Sequence, residues 1–223
     1  MPSNWNGESK FAVGRVHYRG PAGDNSAHRH AALQVVLRGN GVRFEGGRVD
    51  SPAYVRPMAR HQLEPSEHVE LFLIEPSSRM GQSLLQALPS NPVGALPEGV
   101  PQIRFGDDTA AELLPKSLKT ALGVLSGEGA MQRTVQEAAD ESGISVSRLR
   151  VLAKNSLGVS LSRWRLWQAL QSALRYLSDG ASVADAAFAA GFSDQAHLTR
   201  SMKDTLGLTP GALTQAAAMS GNQ

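Results

Sequence analysis

The strongest constraint on this 223-residue chain is that part of it occurs twice. Thr134-Val135-Gln136-Glu137-Ala138-Ala139 returns as Ser182-Val183-Ala184-Asp185-Ala186-Ala187, and Gly143-Ile144-Ser145 returns as Gly191-Phe192-Ser193, both 48 residues later. One residue then slips. Leu149, Lys154, Leu157, Gly158, Val159 and Ser160 match Leu198, Lys203, Leu206, Gly207, Leu208 and Thr209 at an offset of 49. Thr134 with Glu137, and Ser182 with Asp185, have the spacing with which a side chain satisfies orphan amides at a helix start. The alanine pairs leave room for a second helix to pack closely. Gly143 and Gly191 stand where a helix ends in a left-handed residue, and Ser145 and Ser193 are placed to cap the helix that follows. Each copy therefore predicts helix, tight turn, helix.

The second helix of each copy sorts into two faces. Val146, Leu149, Ala153 and Leu157 form an apolar stripe, and Ser147, Arg150, Val151 and Lys154 recur at i, i+3, i+4 and i+7 on the other side. The offset carries that outer face to Ala196, Thr199, Arg200 and Lys203. Small, hydroxyl and basic groups together suit a helix lying in a DNA major groove. From Ser142 through Ser178 there are six basic residues (Arg148, Arg150, Lys154, Arg163, Arg165, Arg175) and no Asp or Glu. A duplex backbone favours such a run because each neutralised phosphate releases counterions. Net charge says nothing here, since it is only +2. Between the copies, Leu161, Trp164, Trp167, Leu170, Leu174 and Leu177 mark one amphipathic helix with its tryptophans in the core. Its 18 residues rise about 27 Å, compatible with two reading helices roughly 34 Å apart on one face of a duplex.

The first half has another style. Short β-branched and alternating runs at Phe11–Tyr18, Leu33–Leu37, Val42–Val49 and Val69–Ile74 lie between glycines and prolines, the pattern of a small antiparallel barrel or sandwich. Pro89–Pro101, with four prolines, is the linker candidate. Split at Asp107, each half carries 11 basic and 10 acidic residues. The expected division is 1–88 for an all-β sensing domain, 89–107 for a linker, and 108–223 for an all-α domain. Within the last, two helix-turn-helix units (about 134–157 and 182–206) flank a connecting helix (about 161–178). Arg79–Leu88 and Ala110–Leu125 are candidates either to join protomers in a homodimer or to cover the open end of the barrel. The absence of cysteine excludes thiol catalysis and disulfides and fits a reducing cytoplasm. No apolar run nears the ~18 residues of a membrane span, so no membrane partner is expected.

The run from Ala190 through Lys203 (Ala-Gly-Phe-Ser-Asp-Gln-Ala-His-Leu-Thr-Arg-Ser-Met-Lys), closing on Leu206-Gly207-Leu208-Thr209-Pro210, resembles the DNA-binding domain of AraC-type transcription regulators. The resemblance covers roughly Leu113 to Leu213. It implies a sequence-specific regulator of double-stranded DNA whose protomer reads two successive major grooves. It also implies base-edge roles for Ser147, Arg150 and Val151, and for Gln195, Ala196, His197 and Arg200. Arg148, Lys154, Thr199 and Lys203 become phosphate contacts. The family leans towards activation, which adds RNA polymerase as a partner. Two departures stand out. Ala153 and Met202 replace frequent large aromatics, and Asp194 and Asp204 make the second helix less basic.

Gly23-x4-His28-x-His30-x3-Gln34-x6-Gly41 resembles the first cupin motif with glutamine in place of the usual glutamate, and Pro57-x3-His61 weakly matches the second. This implies a small, cupin-like β-barrel over residues 11–76. On a regular strand His28, His30 and Gln34 share one face, and His61 could complete a site for a divalent metal. The alternative is a pocket for a small organic effector. His17 and His68 are expected at the surface or an edge. A cupin enzyme with a helical passenger domain is the rival reading, but no convincing general acid or base accompanies the histidines, so the expectation is a regulator and not an enzyme.

Overall fold

A computed structural model describes residues 5–100, 114–127 and 131–213. Sheet comes first. Strands β1 (Glu8–Ala12), β2 (Arg15–Ala22), β3 (Leu33–Arg38), β4 (Val42–Phe44), β5 (Gly47–Val49), β6 (Ala53–Val55), β7 (His61–Leu63), β8 (Ser66–Ile74) and β9 (Val93–Ala95) surround one helix, α1 (Arg79–Ala87). They form a six-stranded antiparallel sheet, β1-β2-β8-β3-β6-β9, and a three-stranded sheet, β5-β4-β7. Among the described residues there is no closed barrel. An isolated antiparallel bridge between His28 and His61 spans the gap between the His28–His30 segment and the small sheet.

Side-chain alternation on β3 assigns the two faces of the large sheet. Leu33 and Val35 join Tyr54, Phe72 and Ile74 under Leu84 and Leu88. Helix α1 thus roofs one face, so its apolar stripe is spent inside the described chain. Val36, with Leu71, Val69 and Ala53, faces the other way into a core continuous with the helical half. Gln34 shares that parity and is buried too.

Two expectations need correction. The run Phe11–Tyr18 is split by a turn at Gly14, where φ is +76°, into β1 and β2. The proposed linker 89–107 includes β9, whose Ala95, Gly94 and Val93 pair with Ala53, Tyr54 and Val55. Its prolines sit beside short edge pairing, where a missing amide costs little. Residues 101–107 of that segment lie outside the described residues, as do 110–113 of the Ala110–Leu125 candidate.

The helical half comprises α2 (Lys116–Val124), α3 (Val135–Ser142), α4 (Val146–Leu157), α5 (Leu161–Ser178), α6 (Val183–Ala189) and α7 (Gln195–Leu206). Thr134 and Glu137 make the full reciprocal cap of α3. Ser182 accepts from Asp185 N–H, while the Asp185 carboxylate, one methylene shorter than glutamate, takes the Ser182 hydroxyl proton instead. Gly143 caps α3 in the left-handed region. Asp194, not Ser193, caps α7, accepting from His197 N–H at 2.7 Å. A carboxylate accepts a charge-assisted bond and sits favourably at the positive helix end.

Helix α5 runs through the middle. Trp164, Trp167, Leu170 and Ala173 are buried along it, as expected for core tryptophans. It also carries bonds to the sheet half. Trp164 Nε1–H donates to Ser77 Oγ at 3.4 Å and Gln171 donates to Glu75 Oε1 at 2.8 Å. Helix α1 reaches α4 as Gln82 donates to the Ser156 carbonyl at 3.0 Å. Leu198 is fully buried, whereas Val151 on the outer face of α4 is 52% exposed. Leu198→Ala should therefore cost about 2–5 kcal/mol in urea unfolding, while Val151→Ala stays within about 0.5 kcal/mol of wild type.

Candidate nucleic-acid interface and sensing site

The outer face of α4 is available. Ser147, Arg148, Arg150, Val151 and Lys154 are all exposed, while Leu149, Ala153 and Leu157 are buried behind them. Among the described residues Val151 is one of three strongly exposed large apolar side chains, with Val13 and Phe188. An apolar group on a reading face suits the methyl of thymine. Lys154 Nζ donates to the Gly158 carbonyl at 3.2 Å, so its ammonium rests at the helix C-terminus.

On α7, Gln195, Ala196, Arg200 and Lys203 are exposed, and His197 and Thr199 are half-buried. His197 Nδ1 lies 3.1 Å from Ser193 Oγ, and its ring stands edge-on to Phe192 at 5.1 Å. Thr199 Oγ1 donates to the Gln195 carbonyl at 2.9 Å. Leu198 and Met202 turn inwards. The acid-free basic run is smaller in space than in sequence. Arg165 donates to the Arg133 carbonyl at 2.6 Å, and Arg175 lies over the Phe11 ring, 5.8 Å from its centroid. Arg165 is half-buried, while Arg148, Arg150, Lys154, Arg163 and Arg175 stay exposed.

In the other half the structure brings together the four residues named from the cupin-like spacing. His28, His30 and His61 are buried, with ligand atoms within 4.8 Å of one another. They do not share one strand: His28 and His30 precede β3, His61 begins β7, and Gln34 is on β3 of the large sheet. Each imidazole has its Nδ1 beside a backbone carbonyl: His28 at Ser26 (2.8 Å), His30 at Ala32 (3.0 Å) and His61 at Ala59 (3.0 Å). These acceptors hold the proton on Nδ1 and leave a lone pair on every Nε2, the tautomer of a metal-binding histidine. Gln34 Oε1 lies 3.1 Å from His30 Nε2 and 3.3 Å from His61 Nε2. As oriented, its Nε2 is buried without a hydrogen-bond partner. Three imidazole nitrogens and an amide oxygen thus converge on one buried point.

Burial pushes the His28 imidazole down to about 4, helped by neighbouring His30. Burial also lowers His30, and it holds His61 well below the usual histidine range with help from both other rings. The set is neutral at pH 7. Beside it lies a cavity of about 380 Å³ between the two halves, lined by His28, His30 and Gln34 and by apolar side chains from both: Tyr18, Leu71 and Leu73, then Leu174, Leu177, Leu206 and Leu208. His17, by contrast, stacks on Phe72 (4.3 Å between centroids) and reaches Glu70 at 3.1 Å.

A family model described as a helix-turn-helix domain matches residues 138–216. Residues 138–216 therefore hold a helix-turn-helix domain. Among solved structures, ToxT from Vibrio cholerae O395 is similar over 95% of this chain and 100% of its own, with TM-score 0.56 and 10% identity. Wild-type ToxT from V. cholerae strain SCE256, described as bound to an unsaturated fatty acid, is similar over 94% and 95%, with TM-score 0.51 and 10% identity. These establish a shared two-part fold, a sheet-rich half followed by a helical half with the helix-turn-helix domain. A probable AraC family transcriptional regulator from Rhodopseudomonas palustris CGA009 is 27% identical over 46% of this chain and 98% of its own, with TM-score 0.40. No curated protein matches. Among the described residues no helix is long and apolar enough to cross a membrane.

The neutral, buried imidazoles give a pH dependence with a fixed sign. The unfolded chain takes up protons near 6.5 that folded His28 refuses until about 4, so it binds more protons across that window and stability falls as pH falls. In EDTA, urea unfolding free energy should hold steady above pH 7 and decline between 6.5 and 4. A flat profile there would contradict the burial of neutral rings.

Proposed function

We propose that this chain is a cytoplasmic, sequence-specific regulator of transcription that reads double-stranded DNA with α4 and α7 and responds to an effector bound in its sheet-rich half. The duplicated AraC-type unit, with both outer faces open to solvent, carries the reading. Arg150, Val151 and Ser147 take base edges in one groove, and Arg200, Gln195, Ala196 and His197 take them in the next. Arg148, Lys154, Thr199 and Lys203 hold phosphates. With Asp194 at its cap and Asp204 near its end, α7 draws less on the phosphate backbone than α4 does. Activation, through contact with RNA polymerase, is the mode favoured by the resemblance to the family.

The effector site is the cavity between the halves together with the His28, His30, His61 and Gln34 cluster at its wall. A compact apolar molecule with one polar end fits its lining, and the unsaturated fatty acid named for ToxT is of that chemical class. The polar end would face the imidazoles, while Leu206 at the end of α7 and Leu208 just beyond it touch the apolar part. One site thus meets both halves of the molecule.

Anisotropy titrations against genomic fragments test the first claim. A fragment should be bound well above a salt-sensitive background, and its absence under every effector condition would end the reading. With such a fragment, Arg150→Ala and Arg200→Ala should each cost about 1–3 kcal/mol and relax preference at one base position. Lys203→Ala should weaken all sequences alike and lower the salt slope by about 1.

A further inference from the structure

We infer that the divalent transition metal implied by the cupin-like motif, held by His28, His30, His61 and Gln34, passes its occupancy to the second reading helix through the backbone pair of Ser26 and Gly207. The inference rests on the regulator reading above and adds a metal at the polar wall of the same site, where the polar end of the apolar effector would meet it.

The donor set fits such an ion. Three Nε2 lone pairs and the Gln34 carbonyl oxygen converge, each imidazole is backed by a carbonyl that fixes its tautomer, and nitrogen and oxygen donors of this kind select first-row divalent ions. The orphaned Gln34 amide nitrogen is the independent sign. Oxygen inward is the orientation a cation wants. Turned over, the amide could give protons to His30 and His61, and His28 would gain none. The amide therefore has two settings, one for each state of the site.

The route to DNA is short. His28 Nδ1–H donates to the Ser26 carbonyl at 2.8 Å, and Ser26 N–H donates to the Gly207 carbonyl at 3.0 Å. Gly207 is the left-handed cap of α7. A Cβ placed there would stand 2.3 Å from the Ser26 oxygen and 2.7 Å from His28 Nδ1, so only glycine permits the contact. An ion on His28 Nε2 polarises the Nδ1–H bond and tightens the hold on Ser26, and with it the hold on α7. The matching cap of α4, Gly158, has φ +70° against +71° for Gly207, yet nothing lies within 4 Å of a Cβ there. The repeat contains its own control. Trp167 supplies an optical reporter, its ring 5.5 Å from that of His30.

The experiment uses the full chain, Co2+ or Zn2+, and the preferred duplex. Co2+ should bind one to one, with a d–d absorption band and quenching of tryptophan fluorescence that is lost in Trp167→Phe. His61→Ala should weaken binding at least 100-fold, and Gln34→Glu should strengthen it. Zn2+ should raise hydrogen-exchange protection of the Ser26 amide and shift DNA affinity at least fivefold, within the usual range of coupling between sites. Gly207→Asn, which keeps the left-handed cap but forces the two halves apart, should retain the Co2+ band and bring the shift below twofold. Gly158→Asn should leave the shift intact. Absence of one-to-one Co2+ binding would overturn the site. Binding with no change at Ser26, or an undiminished DNA shift in Gly207→Asn, would overturn the route. Failure to bind any duplex would strike the regulator reading alone, because the Co2+ band and the Ser26 amide still decide the rest.

Discussion

Burial of helix α5 is the constraint on which everything else hangs. Two tryptophans and a row of leucines and alanines are withdrawn from water along its 18 residues, and each large side chain so buried contributes about 1.5–3 kcal/mol. The same helix fixes where α4 and α7 stand, because it packs against both helical units. It is also bonded to the sheet half through Ser77 and Glu75. A single element therefore sets the geometry of the outer faces of α4 and α7 and ties them to the sheet half.

The helical half was largely legible because its signals are local. Caps, left-handed glycines and the two faces of α4 follow from residues within one or two turns of each other, and the repeat shows each signal twice. The misreadings there were local as well. Ser193 looked like the cap of α7, but the adjacent Asp194 is the stronger acceptor. Arg165 read as part of a basic run, since sequence order carries no information about the Met131 and Arg133 carbonyls it bonds.

The sheet half was less legible because its pairing is long-range. Spacing left a barrel and a sandwich both open, and the pairing that decides it sets β4, β5 and β7 in a sheet of their own, reached by the His28–His61 bridge. Val93–Ala95 is too short to announce itself as a strand and becomes one only because β6 offers an edge. The histidine cluster was visible from the spacing of the cupin-like motif, though not from the strand parity invoked for it, since His28 and His30 lie outside the named strands. The docking of Gly207 on Ser26 joins residues 181 positions apart. No periodicity or motif could have signalled it.

The unequal anchoring of the two readers bears on how such a chain can be recombined. The sheet half is hydrogen-bonded to α4 through the Gln82 side chain, and to the end of α7 through main chain at Gly207, where a Cβ would meet the Ser26 carbonyl. A chimera given a foreign sensing half would keep its first reader nearly as it was and lose the seat of its second.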